Sequence, residues 1–169
     1  MVRKLILLFV LIGFIINLSA QQKMKAAAIR YPTIPPFTLL KIDSTTLTRD
    51  DLTKNKKTLI MYFSPTCDHC ILQIDSMLAN INKFKDVQIL MVTYQPLDEM
   101  RKFYGEKKIS SYKNIKMGRD IKFFFPPFYK MNNLPFLALY DEKAKLLTVF
   151  EGTTKLSFIL EGFSRKKQL

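Results

Sequence analysis

The stretch Thr58–Leu72, TLIMYFSPTCDHCIL, carries both cysteines and the only histidine of the chain directly behind an apolar run. Thr58 to Ser64 is β-rich and of buried-strand length. Ile71, Ile74, Leu78 and Ile81 then recur at helical spacing, which predicts a helix from Cys67 to about Lys83. A C-x-x-C pair in a tight strand-to-helix turn has the mechanics of a thiol redox centre. Cys67 opens the helix, where unpaired backbone N–H groups and the helix dipole favour a thiolate, so it is the expected nucleophile. Cys70 lies one turn on along the same face and is the expected resolving thiol, placed to attack a mixed disulfide formed on Cys67.

Outward from this turn the pattern is an alternation of strands and helices. VQILMVTY, Val87 to Tyr94, reads as a second buried strand, and PLDEMRKFYGEKK opens a helix with Pro96 and acidic residues. Residues 110–133 read as irregular. FLALY (Phe136–Tyr140) and Leu146–Phe150 form two strands around a polar turn, followed by a helix over Thr154–Phe163. Upstream, FTLLKIDS suggests a short edge strand, and TRDDLTKN carries a helix-start signal, with Thr48 capping and Asp51 three residues on. The expectation is an α/β fold with a mixed central β-sheet flanked by helices.

Length and composition bound the rest. The chain has 169 residues, 48% of them hydrophobic, which is one domain with enough apolar mass to form a core without several disulfides or a structural metal. The first 20 residues have a basic start (Arg3, Lys4), an apolar run from Leu5 to Ile16 and Ala20 before Gln21, the pattern of a signal peptide, with an uncleaved anchor as the minority alternative. Residues 21–36 read as an extended lead-in punctuated by Pro32, Pro35 and Pro36, and residues 37–169 as the domain. The expected location is therefore exported, periplasmic or envelope-associated, an oxidising setting in which a cysteine pair can be a disulfide. The net charge is +13, and +11 once Arg3 and Lys4 leave with the segment. These lysines are scattered rather than gathered into a stripe with aromatics, which argues for a solvated basic surface and against a nucleic-acid site. Membrane contact through the N-terminal segment or the basic surface stays open.

The strand TLIMYFS, the turn SPTCDHC, the dipeptide Leu134-Pro135 before FLALY, and Gly152 after the last strand together resemble a secreted thioredoxin-like protein of the TlpA/ResA type, from about Phe37 to Phe163. The resemblance implies a thioredoxin-like fold and an exported thiol-disulfide oxidoreductase acting on protein thiols or disulfides with a separate redox partner. It implies no dissociable cofactor. It further implies a cis proline at Pro135 facing the cysteines, with the Leu134 backbone pairing with the substrate. Thr66 replaces the aromatic usual before the first cysteine, and Met61 stands where thioredoxin itself has a buried acid. Some relatives supply an acid from the segment after the second strand, which makes Asp98 and Glu99 the candidates for proton transfer here.

Other readings compete. A structural disulfide between Cys67 and Cys70 would close so small a loop that it constrains little. A metal site lacks ligands, since no other His or Cys exists, and Ile71 rather than His follows the second cysteine as haem attachment would require. A peroxidase on the same frame would want a Thr and an Arg about an isolated cysteine, of which Pro65 and Thr66 are a partial echo. A non-catalytic accessory domain is the alternative outside enzymes. FFFPPF, Phe123–Phe128, is either core packing or an apolar rim near the Pro135 loop that contacts a partner. The two middle residues of the motif oppose each other, because Asp68 disfavours a thiolate on Cys67 while His69, when protonated, favours it. The expected outcome in glutathione redox buffers is a reduction potential clearly below about −120 mV, that of a strongly oxidising DsbA-type centre; a value at that level contradicts the opposing-charge reading.

Overall fold

A computed structural model describes residues 33–164. The expected signal segment, the lead-in as far as residue 32 and the basic tail from residue 165 lie outside the described residues. The chain runs β1 (Thr38–Leu40), β2 (Thr46–Thr48), β3 (Lys57–Tyr62), α1 (Asp68–Ala79), β4 (Val87–Thr93), α2 (Leu97–Glu106), β5 (Ile115–Arg119), α3 (Phe125–Tyr129), β6 (Phe136–Tyr140), β7 (Leu146–Glu151) and α4 (Leu156–Gly162). Seven strands form one mixed sheet in the order β2-β1-β5-β4-β3-β6-β7. β3, β4 and β5 pair in parallel, while β6, β7, β1 and β2 add antiparallel neighbours at the two sides. This is the α/β arrangement with a mixed central sheet that the sequence led us to expect.

Period-two alternation divides β3 between two cores. Leu59, Met61 and the following Phe63 belong to a cluster with Cys70, Ile74 and Met77 of α1, Met100 and Phe103 of α2, and Ile159 of α4. The helices that follow β3 and β4 therefore cover one face together with the C-terminal helix. Tyr62, on the alternate register, meets Phe125 of α3 at 6.0 Å between ring centroids, and Tyr129 of α3 packs on Phe136 at 5.1 Å. The hydroxyls of Tyr129 and Tyr140 hydrogen-bond beneath them. Phe37, just before β1, closes on Phe125 at 5.7 Å.

Several sequence expectations are corrected. α1 stops at Ala79, not near Lys83: the Asn80 side chain donates to the Ser76 carbonyl at 3.0 Å, and a single 3₁₀ turn (Ile81–Phe84) replaces the continuing helix. TRDDLTKN makes only one 3₁₀ turn, Arg49–Asp51, with the Thr48 N–H donating to the Asp51 carboxylate at 2.7 Å. Beyond it Leu52 is extended, and the buried Gln88 side chain grips both backbone groups of Thr53, each at 2.8 Å, tying the segment to β4. FTLLKIDS does not form the sheet edge; β2 lies outside it. The stretch read as irregular contains β5 and α3. In α3, Pro126 and Pro127 occupy the first turn, where a missing N–H costs no helix bond. The buried Asp120 carboxylate accepts the Phe124 and Phe125 N–H groups, each at 2.9 Å.

β1 joins β5 through one pair, Leu40 opposite Arg119, beside Gly118. A Cβ on Gly118 would lie 2.7 Å from the Cβ of buried Leu39, whereas one on Gly105 in α2 meets nothing within 4 Å. In urea unfolding, Gly118→Ala is expected to lose about 1–3 kcal/mol, and Gly105→Ala to gain up to about 1 kcal/mol. Equal effects at the two positions would contradict the close approach of β1 to β5.

Candidate redox site

Strand register assembles one end of the sheet. Tyr62 at the end of β3 pairs with Val92 of β4 and with Phe136 at the start of β6. The segments that leave or enter there, Phe63–Cys67, Thr93–Gln95 and Leu134–Pro135, are therefore neighbours at the C-terminal end of the parallel strands, where open α/β sheets hold their sites. The Leu134–Pro135 peptide bond is cis. The Pro135 carbonyl accepts the Gly152 N–H at 2.8 Å, and Gly152 has φ +77, a conformation that favours glycine at the end of β7.

Cys67 is the N-cap of α1, with extended backbone. Its N–H donates to the Ser64 carbonyl at 3.2 Å, its own carbonyl accepts from Ile71 N–H at 3.0 Å, and its sulfur accepts the Cys70 N–H at 3.4 Å. The sulfur thus stands where a side-chain acceptor satisfies an open helix N–H, the position that favours negative charge. Both thiols are free; Cys67 is partly exposed and Cys70 fully buried. Burial, together with the hydrogen bond to Cys67, pushes the Cys70 thiol up to about 12. Met61 lies buried in the cluster that receives Cys70, so the surroundings of this thiol on the β3 side are apolar.

Asp68 and His69 are exposed in the first turn of α1, and Thr66 is exposed just before Cys67. Leu134 is half-buried and Pro135 buried. Asp98 and Glu99 stand in the first turn of α2, and among the described residues neither hydrogen-bonds to the cysteine turn. No three His, Cys, Asp or Glu side chains gather to hold a metal ion among the described residues.

The structure also gives Ser64 and Gln95 a part in the site; in the sequence, Tyr94-Gln95-Pro96 reads either as a site feature at a strand's C-terminal end or as a simple strand-to-helix turn. The Ser64 hydroxyl shares a hydrogen bond with the Thr66 hydroxyl at 3.0 Å and accepts the Thr66 N–H at 3.3 Å and the Gln95 amide at 3.1 Å. Gln95 thereby ties the β4 exit to the turn that presents Cys67. Its position in the tripeptide Tyr94-Gln95-Pro96, at a strand's C-terminal end, is the only sequence signal that marks it. On the far side, the buried Gln73 of α1 accepts the Thr154 N–H at 2.7 Å and fixes the segment after Gly152 to the helix that carries both thiols.

Such a pair, one sulfur accessible at a helix N-terminus and one buried behind it, can exchange disulfides through the outer sulfur and close an internal bridge with the inner one. Iodoacetamide at pH 8 is expected to label the reduced native protein at Cys67 only, with Cys70 reacting after unfolding in denaturant. Cys67 and Cys70 lie in one tryptic peptide, residues 58–83, so tandem mass spectrometry that locates the label within this peptide reads the result, and equal native labelling would overturn the asymmetry.

The sequence matches no curated protein. Among solved structures, the chain is similar to the exposed lipoprotein thioredoxin of Streptococcus pneumoniae, with 22% identity, TM-score 0.60, and 75% of this chain and 96% of that one covered. StoA from Bacillus subtilis gives 17% identity, TM-score 0.57, and 78% and 98% coverage. A secreted disulfide oxidoreductase of Mycobacterium tuberculosis gives 13% identity, TM-score 0.62, and 75% and 92% coverage. These likenesses establish the thioredoxin-like fold. The AhpC/TSA family model matches residues 32–161, which takes in all of the sheet and both cysteines, and the chain belongs to that family.

Proposed function

We propose that the protein is an exported thiol-disulfide oxidoreductase that exchanges disulfides with polypeptide clients, Cys67 acting as nucleophile and Cys70 as resolving thiol. The observation that carries this reading is the unequal burial of the two free sulfurs across the first turn of α1. In the reductive direction the Cys67 thiolate attacks one sulfur of a client disulfide, a mixed disulfide forms, and the other client sulfur leaves as a thiolate. Cys70 then attacks the Cys67 sulfur, its proton passing to the departing thiolates or to solvent. The client gains two electrons and two protons overall, and the chain is left with a Cys67–Cys70 disulfide for a partner dithiol to reduce. The same steps reversed oxidise a client dithiol.

A high Cys70 pKa keeps the resolving thiol neutral until Cys67 is engaged. Once the Cys67 sulfur is tied up in a mixed disulfide, its hydrogen bond and charge no longer hold the Cys70 proton, which eases the second attack. In this reading Thr66, Leu134 and Pro135 line the client groove, Asp68 and His69 set the potential, and Asp98 or Glu99 relays protons through solvent. The signal-like first 20 residues support export, as do neighbours described as an exposed lipoprotein and a secreted oxidoreductase.

The AhpC/TSA description leaves peroxide reduction as the second reading. It fits less well, because the Thr66 hydroxyl bonds Ser64, and among the described residues Arg101 and Arg119 donate to backbone carbonyls at Ile42 and Tyr94, not to the cysteines. Insulin reduction with dithiothreitol as electron donor is expected to proceed with the wild type and to fall at least about 100-fold in Cys67→Ser, since the other thiol, Cys70, is buried away from the client. Cys70→Ser should accumulate a mixed disulfide visible on non-reducing gels. A wild type inert toward insulin but consuming peroxide would replace the first reading with the second.

A further inference from the structure

Three of the five large hydrophobic side chains exposed among the described residues belong to two segments at the sheet end that carries the thiols: Tyr94 after β4, and Ile121 and Phe123 after β5. Tyr94 and Phe123 enclose a cavity of about 270 Å³ with Tyr62, Pro126, Met131 and Leu134. Tyr94 stacks on the buried Tyr62 at 6.2 Å, the planes 9° apart, and Phe123 meets the Tyr94 ring edge-on at 5.7 Å. The backbone holds this wall in place. Phe123 has φ +50, its N–H donates to the Asp120 carbonyl at 3.3 Å, and the Asp120 carboxylate takes the next two N–H groups. The Tyr62 hydroxyl is buried and, among the described residues, makes no hydrogen bond of good geometry. Burial and the neighbouring Asp120 carboxylate push its phenol well above the ordinary value, so Tyr62 is neutral throughout the working range.

We propose that this cavity is a selectivity pocket for an aromatic side chain of the polypeptide client, close in sequence to the cysteine that reacts with Cys67. The proposal rests on the thiol-disulfide reading above and names a class of client for it. Three observations select this occupant. The cavity is continuous with the candidate groove, because Leu134 both lines it and supplies the peptide bond to Pro135. Among the described residues its lining is aromatic and aliphatic side chains, a methionine sulfur and the amides of Asn132 and Asn133, with no charged group, so a charged occupant would enter unpaired while a ring gains edge and face contacts. Its volume is below that of pockets for drug-sized ligands or cofactors, and suits one side chain. A client strand held against the Leu134 backbone alternates its side chains, so the ring belongs within two residues of the client cysteine.

The test uses peptides whose single cysteine is carried as a mixed disulfide with thionitrobenzoate, with either Phe or Ala at positions one or two residues from the cysteine. The reduced protein attacks the peptide sulfur, and the released thionitrobenzoate thiolate is followed by absorbance. For wild type, the second-order rate constant for one Phe peptide is expected to exceed that of its Ala counterpart roughly tenfold. The ratio should fall toward one in Phe123→Ala and Tyr94→Ala and persist in Phe158→Ala, an exposed ring on α4. A wild-type ratio near one at every position overturns the pocket, as does an unchanged ratio in both pocket variants. Self-association in sedimentation that is lost in Phe123→Ala assigns the cavity to a second copy of the chain and also overturns it. Oxidised glutathione, which carries no ring, separates the two levels: a protein that exchanges with glutathione but shows no Phe preference loses only the pocket, and one inert to glutathione and to every peptide loses the oxidoreductase reading with it. A trapped Cys70→Ser adduct formed in competition between the two peptides gives the same ratio independently of turnover.

Discussion

Strand β3 is hydrogen-bonded along both edges, in parallel to β4 and antiparallel to β6, and Leu59 to Phe63 are buried on both faces. Its register fixes where the chain leaves the sheet, and the candidate site follows from that. Pairing of Tyr62 with Phe136 sets the cysteine turn beside the cis Leu134–Pro135 bond, although about 70 residues of sequence separate them. A shift of one residue would turn Tyr62 toward the helices and Met61 toward α3, exchanging every side chain between the two faces. Both cores resist such a shift, because one is closed by α1, α2 and α4 and the other by the ring contacts of α3.

Three glutamines translate that register into local geometry. Gln88 ties the strand-free segment before β3 to β4, Gln95 ties the β4 exit to the cysteine turn, and Gln73 ties α1 to the segment after Gly152. Each side chain meets a group more than 30 residues away in sequence. An amide with a donor and an acceptor suits this, and pairing it matters most for the buried side chains of Gln73 and Gln88, where an unpaired amide would cost about 1–3 kcal/mol.

The environment of the inner thiol gives the site its direction of approach. Cys70 enters an apolar cluster that includes Met61, so its proton is held by burial and by Cys67. Cys67, at the helix N-terminus, is the partly exposed residue of the two. On the opposite face of the same strand, Tyr62 continues the aromatic wall out to Tyr94 and Phe123. One strand end therefore presents a partly exposed thiol on one side and an apolar cavity on the other.

The thiol motif was legible in the sequence because its physics is local. A strand-length apolar run, a turn and helical spacing of Ile71, Ile74 and Leu78 suffice to place Cys67 at a helix start, and β4, α2, β6 and β7 follow from equally local periodicity. What failed were segments whose form is set by distant partners. TRDDLTKN has a helix signal but makes one 3₁₀ turn before Gln88 ties the segment to β4, and β5 is hidden because its residues Ile115–Arg119 mix polar and apolar character at the junction of a parallel and an antiparallel neighbour. FFFPPF could not be resolved from sequence because its rings part ways: Phe125 is buried under β3, while Phe123 is exposed at a positive φ beside Asp120. The sequence by itself determined that two thiols lie one turn apart, with the Cys67 sulfur at a helix start, since spacing and local periodicity decide that. Only the tertiary structure decided the company that sulfur keeps, because Gln95, Pro135 and the Tyr62 wall arrive through strand pairing, which acts across the chain.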